Sequence, residues 1–171
     1  MKTKVINVYS FSELSEKAKE KVLNNFSDIN TDYDWWSYIY EDAKNIGLKI
    51  TSFDLDRNRH AKGHFELTAF EIAQNILNEH GQNCDTHQTA QTFLDEINPI
   101  FSEYLNENSA HYESEDYEQI MLEIEFEFLN NLLEDYSIIL QNEYEYLSSY
   151  EAIIDTIQAN DYEFDINGNL I

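Results

Sequence analysis

Lysine and arginine are missing from most of this chain. All ten of them lie between Lys2 and Lys62, where ten of the 34 acidic residues balance them. The remaining acidic residues all lie between 63 and 171, so this segment carries the entire formal charge of −24. Nucleic acids and anionic membranes repel a surface of this charge. We therefore expect neither of them as a direct ligand.

The chain also has little of what secreted and membrane proteins need. Cys84 is the only cysteine, so no disulfide can form within the chain. No run approaches the roughly 18 apolar residues of a transmembrane helix. The first ten residues lack the apolar core of a secretory signal. These absences predict a cytoplasmic protein.

Sequence signatures of catalysis and metal binding are absent as well. Among only four glycines there is no phosphate-binding loop, no Gly-x-Ser-x-Gly and no Cys-His pair at a catalytic spacing. Asp54, Asp56 and Asn58 match the first ligands of an EF-hand loop, but Arg59 stands where that loop requires glycine. The histidines near Cys84 follow no zinc-binding spacing. We expect no enzyme, no cofactor and no bound metal.

Material for a folded core is plentiful. Aromatic residues make up 14% of the chain and hydrophobic residues 42%, whereas disordered chains are poor in both. A length of 171 residues fits one compact domain, 1–171. Within it we distinguish a charge-balanced α/β part, 1–68, from an acidic and mainly helical part, 69–171.

Local signals predict an α+β fold with five or six helices and a small antiparallel sheet. Three pairs have the spacing of a helix capping box: Ser10 with Glu13, Thr68 with Glu71, and Ser148 with Glu151. The predicted helices follow Ser10, span 34–46, 69–80 and 85–98 with a short continuation to Leu105, begin again after Ser114, and end with 149–159. Pro99 is expected to break or kink the fourth helix. The sheet combines an N-terminal strand at 5–9, a hairpin at 48–56 and 64–68, and a C-terminal strand at 162–165.

The helix after Ser114 is the longest, and it carries an apolar stripe on one face and carboxylates on the other. The apolar stripe is Tyr117, Met121, Ile124, Phe128, Leu132, Tyr136 and Ile139. The carboxylates of this region are the predicted partner-binding residues: Glu113, Glu115, Asp116, Glu118, Glu123, Glu125, Glu127, Glu134, Asp135, Glu143 and Glu145.

The density of these charges indicates what such a surface could imitate. One carboxylate per about 4.5 residues corresponds to roughly 7 Å of helix axis per charge. Duplex DNA carries one charge per about 1.7 Å, so several such helices packed side by side would be needed to approach it. The expected partner is therefore a basic protein that normally holds nucleic acid. The alternatives are an antitoxin-like or adaptor protein that neutralises another basic partner, and an acidic face that only keeps the protein in solution. A homodimer remains one alternative for the assembly.

Residues 11–65 resemble a group of small uncharacterised proteins of bacterial and phage genomes, some of them labelled antitoxins. The resemblance rests on 13–19 (ELSEKAK), 34–36 (DWW) and 47–56 (GLKITSFDLD), and it extends to 80–85. It implies a phage or mobile-element setting. In charge character the chain resembles DNA-mimicking anti-CRISPR and anti-restriction proteins, which implies a counter-defence role in the host cytoplasm.

Overall fold

A computed structural model describes residues 7–106 and 114–171, with side chains described for 7–102 and 117–171. It contains an antiparallel pair of strands, β1 (Leu48–Asp54) and β2 (His60–Phe65). The helices are α1 (Glu16–Asn25), α2 (Ser37–Ile46), α3 (Ala69–Glu79), α4 (Asp85–Asn106), α5 (Ser114–Leu147) and α6 (Tyr150–Ala159). The predicted α+β fold with a small sheet is confirmed.

The described chain groups into two compact units, which we call the terminal unit and the central unit. Both chain ends, up to Trp35 and from Asn142 onward, form the terminal unit, and the segment from Trp36 to Gln141 forms the central unit. The division near residue 68 that the charge pattern predicted lies inside the central unit. The last residues of α5 belong to the terminal unit.

The terminal unit packs α1 against α6. Its buried cluster contains Val22 of α1, Ile153 and Ile157 of α6, and Phe164. Tyr9 exchanges two backbone hydrogen bonds with Phe164, at 2.8 and 2.9 Å, and Phe164 forms a further isolated bridge with Leu170. These are single bridges. In the described residues the N- and C-terminal segments therefore add no strand to the β1–β2 sheet, and the single predicted sheet is corrected on this point. Residues 5 and 6 of the predicted first strand lie outside the described residues.

The central unit is built around the β1–β2 hairpin and helices α2 to α5. Gly47 ends α2 with φ +97°, a left-handed conformation that favours glycine, so the predicted helix stop is confirmed. The strands pair from Leu48 with Phe65 to Asp54 with His60, with a bulge between Ile50 and Ser52. No helix among the described residues is both long and apolar enough to span a bilayer.

Several predicted helix boundaries change, and the last helix is capped by Ser149 instead of Ser148. Ser10 and Glu13 do form a capping box, but it closes a short 3-10 turn, and α1 begins at Glu16 behind a Ser15 cap. The next helix begins at Ser37 instead of residue 34. Helix α4 runs unbroken through Pro99 to Asn106, so the predicted continuation to Leu105 is part of the same helix. A proline removes one backbone hydrogen bond, and packing on both sides of it offsets that loss.

Candidate acidic binding surface

Helix α5 positions most of the predicted binding residues, and its second half is anchored in the core of the central unit. Phe128, Leu132, Tyr136 and Leu140 recur every four residues and are all at most 2% exposed. A four-residue repeat keeps these side chains on one side of the helix over three turns. The direction of the remaining α5 side chains follows from this buried side.

Helix α4 lies beside α5. The ring of Phe93 stacks on that of Phe128 at a centroid distance of 4.2 Å. Nearer the end of α4 and the start of α5, Phe101 makes an edge contact with Tyr117. These contacts lie on both sides of Pro99. The two helices bring Asp85 and Glu96 of α4 next to Glu127 and Asp135 of α5, which the sequence alone did not establish.

The predicted carboxylates do not all share one face of α5. At 100° per residue, Glu123, Glu127 and Glu134 lie on the side away from Leu132. Glu118 and Glu125 lie on the same side as Leu132, nearer the start of α5 than the buried residues. Glu118, Glu123 and Glu127 are exposed, and Glu125 is partly buried.

The other predicted residues differ in what can be said of them. Glu113 lies outside the described residues, and Glu115 and Asp116 lie in the first turn of α5 without a described side chain. Glu143 and Glu145 belong to the terminal unit, where Glu143 is partly buried and Glu145 is exposed.

Glu134 is already neutralised inside the central unit. It forms an ion pair with Arg59 of the hairpin turn. The Arg59 Nε also donates to the hydroxyl of Ser137, at 3.1 Å. This pair attaches the hairpin to α5, so Glu134 contributes less to an open acidic surface than its neighbours do.

Asp135 lies in a groove between α4 and α5. The hydroxyl of Thr89 donates to its Oδ2 at 2.7 Å. Burial raises the pKa of the Asp135 carboxyl, although the hydrogen bond from Thr89 opposes the shift, and the nearby charges of Asp85 and Glu134 raise it further. The ionised form of Asp135 is thus held at a cost that a cation in the groove would relieve.

We call this groove, of about 360 Å³, the α4–α5 groove. Four carboxylates line it: Asp85, Glu96, Glu127 and Asp135. Its other lining residues are Gln88, Thr89, Thr92, Phe93, Ile124, Phe128, Asn131 and Ile138. Neither helix contains a Lys or Arg, so no basic residue of α4 or α5 compensates the four carboxylates.

Sequence reasoning missed the contribution of α4. Asp85, Thr89, Thr92 and Glu96 recur at intervals of four, three and four residues, which places them on one side of a helix. That spacing predicts a polar and acidic face. The pairing of this face with α5 depends on tertiary contacts and leaves no signal in the local pattern.

The histidines near Cys84 make structural contacts. His80 Nδ1 lies 2.8 Å from the hydroxyl of Thr86, and His80 Nε2 lies 3.7 Å from Asp42 Oδ1. His87 Nδ1 lies 3.1 Å from the carbonyl oxygen of His80. The described residues contain no group of three or more His, Cys, Asp or Glu arranged to hold a metal.

No protein-family model, curated protein or solved structure shows significant similarity to this chain. The resemblance of residues 11–65 to small phage and bacterial proteins therefore stays an expectation from the sequence.

Proposed function

We propose that this chain is a noncatalytic inhibitor that occupies the nucleic-acid site of a basic host protein with its acidic α4–α5 surface. The expected setting is phage or mobile-element counter-defence, against a CRISPR or restriction complex. The observation that carries the proposal is the α4–α5 groove. Its four carboxylates, Asp85, Glu96, Glu127 and Asp135, line a site between two helices that have no basic residue.

Electrostatics favours a cationic occupant for this groove. Lysine and arginine side chains that bind nucleic acid are drawn to negative charge by long-range steering. Among the carboxylates of the groove, Asp135 would gain most from a bound cation, because burial already raises the pKa of its carboxyl. A guanidinium or ammonium group placed there would pair with a carboxylate that is partly desolvated before binding, so the pair gains more than an exposed pair does.

The density of charge supports a nucleic-acid-like field. The ten carboxylates in the 34 residues of α5 amount to one per about 5 Å of axis. Counted along the sequence of both helices, the four of α4 bring this to about one charge per 3.5 Å of α5 axis, compared with about 3.4 Å along one DNA strand. This density favours imitation of a single strand over that of a duplex.

The test is recovery of partners from an extract of the source cell by the immobilised full chain. Glu96→Lys with Glu127→Lys reverses two exposed charges of the groove, and Glu151→Lys with Asp155→Lys reverses two exposed charges of α6. Both double variants have the same net charge. We expect nucleic-acid-binding proteins to be recovered by the wild type and the α6 variant and to be lost with the groove variant.

Competition then distinguishes mimicry from simple charge attraction. Added single-stranded or duplex nucleic acid should displace the recovered partner, and the affinity should fall steeply as salt is raised. A complex that contains the chain, the partner and its full-length nucleic acid together would overturn the proposal. Equal recovery by the groove variant and the α6 variant would overturn it as well.

A second candidate is an adaptor or antitoxin-like protein that neutralises a basic partner unrelated to nucleic acid. Leu122 and Phe126 favour it, because they are 62% and 66% exposed among the carboxylates of α5. A phosphate backbone has no apolar counterpart to such side chains. Failure of nucleic acid to displace a recovered basic partner would favour this candidate over the first.

A further inference from the structure

The first half of α5 exposes a line of large apolar side chains. Leu122 is 62% exposed and Phe126 is 66% exposed, and Leu129, three residues later, is partly exposed. Intervals of four and three residues place these side chains on one side of a helix over two turns. We call Leu122, Phe126 and Leu129 the outer stripe.

The outer stripe continues a face that is covered further along the helix. Leu133 stands four residues after Leu129, on the same side, and it is only 8% exposed. The hairpin covers it, since a Cβ built on Gly63 of β2 would lie 3.1 Å from Leu133 Cδ2. Nearer the start of α5, Leu122 and Phe126 are mostly exposed, so the hairpin does not cover them.

A different face of α5 packs against α4. Tyr117 contacts Phe101 of α4, and Phe128 contacts Phe93 of α4. Because those residues are about 100–180° from the outer stripe around the axis, the stripe is a second apolar face. It is not the edge of the core between α4 and α5.

Carboxylates border the outer stripe on both sides. Glu118 precedes Leu122 by four residues and Glu125 precedes Leu129 by four, so both lie along one border. Glu123 lies on the other border, where its Oε1 accepts a hydrogen bond from Gln119 Nε2 at 2.8 Å. Helix α5 offers no basic residue to either border.

We propose that the outer stripe docks an amphipathic helix of the partner whose apolar face is bordered by lysine or arginine. The spacing of Leu122, Phe126 and Leu129 matches the ridge that a second helix packs against. The charge of the borders selects the partner. A second copy of this chain would bring Glu118, Glu123 and Glu125 against their own equivalents, and like charges across an interface oppose association.

This inference rests on the proposed function only in requiring a cationic partner. It adds that the partner is recognised through a helix and its apolar side chains, and not through charge alone. The α4–α5 groove and the outer stripe are separate surfaces, since Glu127 of the groove points away from Leu122 and Phe126 around the helix axis. Variants can therefore break one and keep the other.

The test uses three labelled synthetic peptides of about 18 residues and the full chain. The first has leucines at intervals of three and four residues bordered by lysines, the second has the same composition scrambled, and the third has glutamate in place of lysine. Fluorescence anisotropy gives each affinity. We expect the patterned cationic peptide to bind about tenfold or more tightly than the scrambled one, as burial of two or three large side chains implies, and the acidic peptide not to bind.

Leu122→Ser with Phe126→Ser should remove the preference for the patterned peptide and leave the weak, salt-sensitive binding of both cationic peptides. Tyr150→Ser with Ile166→Ser is the matched control, because these side chains are 62% and 65% exposed in the terminal unit. It should keep the preference. Circular dichroism of both variants checks that the helical content is unchanged.

Three outcomes would overturn the docking proposal. They are equal binding of the patterned and scrambled peptides, equal binding of the acidic peptide, and a concentration-dependent dimer in sedimentation that disappears in Leu122→Ser with Phe126→Ser. Loss of the pattern preference with salt-sensitive binding retained would leave the proposed function standing. If the chain keeps its preference for the patterned peptide but nucleic acid cannot displace the recovered partner, the proposed function is rejected and the docking site stands.

Discussion

The two halves of α5 have similar amounts of apolar side chain and opposite surroundings. In residues 128–140, Phe128, Leu132, Leu133, Tyr136 and Leu140 are buried, and Leu132 and Leu140 have no exposed surface. In residues 117–127 Leu122 and Phe126 are mostly exposed. The second half of α5 therefore packs in the core, and the first half exposes Leu122 and Phe126 to solvent.

Charge follows the same division. Residues 114–127 of α5 contain six Asp or Glu, and residues 128–141 contain only Glu134 and Asp135. Of these two, Glu134 is paired with Arg59 and Asp135 with Thr89. Both carboxylates of the covered half thus have partners within the fold, whereas Glu118, Glu123 and Glu127 of the open half are exposed. The comparison teaches that burial and charge, not the amount of apolar side chain, separate the structural half from the candidate binding half.

The largest test of this comparison truncates one leucine in each half. Leu132→Ala empties a fully buried site, and we expect it to lower the free energy of unfolding by about 2–5 kcal/mol. Leu122→Ala should change it by less than about 0.5 kcal/mol because Leu122 is mostly exposed. Urea denaturation followed by circular dichroism measures both. Similar losses for the two variants would show that the first half of α5 is also a core element.

A methyl group at Gly63 tests the cover that the hairpin gives to the second half. The Cβ of Gly63→Ala would clash with the carbonyl oxygen of Lys49 and would lie 3.1 Å from Leu133 Cδ2. We expect a loss of about 1–3 kcal/mol from overpacking. Gly81→Ala is the matched control, since its Cβ would be no closer than 3.8 Å to any neighbour. A tolerated Gly63→Ala would mean that neither β1 nor Leu133 of α5 packs tightly around Gly63.

A smaller effect is expected from removing one hydroxyl in the buried half. The Tyr136 hydroxyl donates to Asp42 Oδ2 at 2.8 Å, and burial, together with Asp42, raises the pKa of the phenol, so it stays a donor. Tyr136→Phe should lower the free energy of unfolding by about 1.5 kcal/mol, the lower end of what a hydrogen bond to a charged group contributes. Tyr146→Phe, at a side chain 57% exposed, should cost less than about 0.5 kcal/mol. Equal thermal midpoints for the two variants would contradict the role of the Tyr136 bond.

The features that local sequence specifies were predictable. The capping box of Thr68 and Glu71 and the left-handed Gly47 depend on residues a few positions apart, and both are present. The apolar stripe of α5 was predicted through Phe128, Leu132 and Tyr136, which are buried. Its predicted end at Ile139 is wrong, since Ile139 is 38% exposed and Leu140 is buried instead.

What depends on tertiary packing was not predictable. Periodicity assigns Leu122 and Phe126 to a face of α5, but whether a neighbour covers that face depends on where the hairpin ends. For the same reason Glu96 of α4 escaped notice, because its place in the groove depends on the contact of α4 with α5. The pairing of Glu134 with Arg59 joins residues 75 positions apart, and nothing in the local pattern of either specifies it.

The smallest expected effect concerns the one carboxylate of α5 that is half covered in the groove. Burial raises the folded pKa of Asp135 above its unfolded value, so the ionised group costs stability at neutral pH, and this cost disappears as the pH falls through the raised pKa. Asp135→Asn removes the charge and keeps an oxygen that accepts from Thr89. It should therefore stabilise the chain at pH 7 by about 0.5 kcal/mol, a value reduced by the access of water to the groove. The gain over the wild type should shrink as the wild-type carboxyl becomes protonated at lower pH, which urea denaturation at several pH values measures. If Asp135→Asn is less stable than the wild type at pH 7, the hydrogen bond from Thr89 stabilises the charged carboxylate by more than burial destabilises it. The groove would then hold this negative charge at no cost in stability.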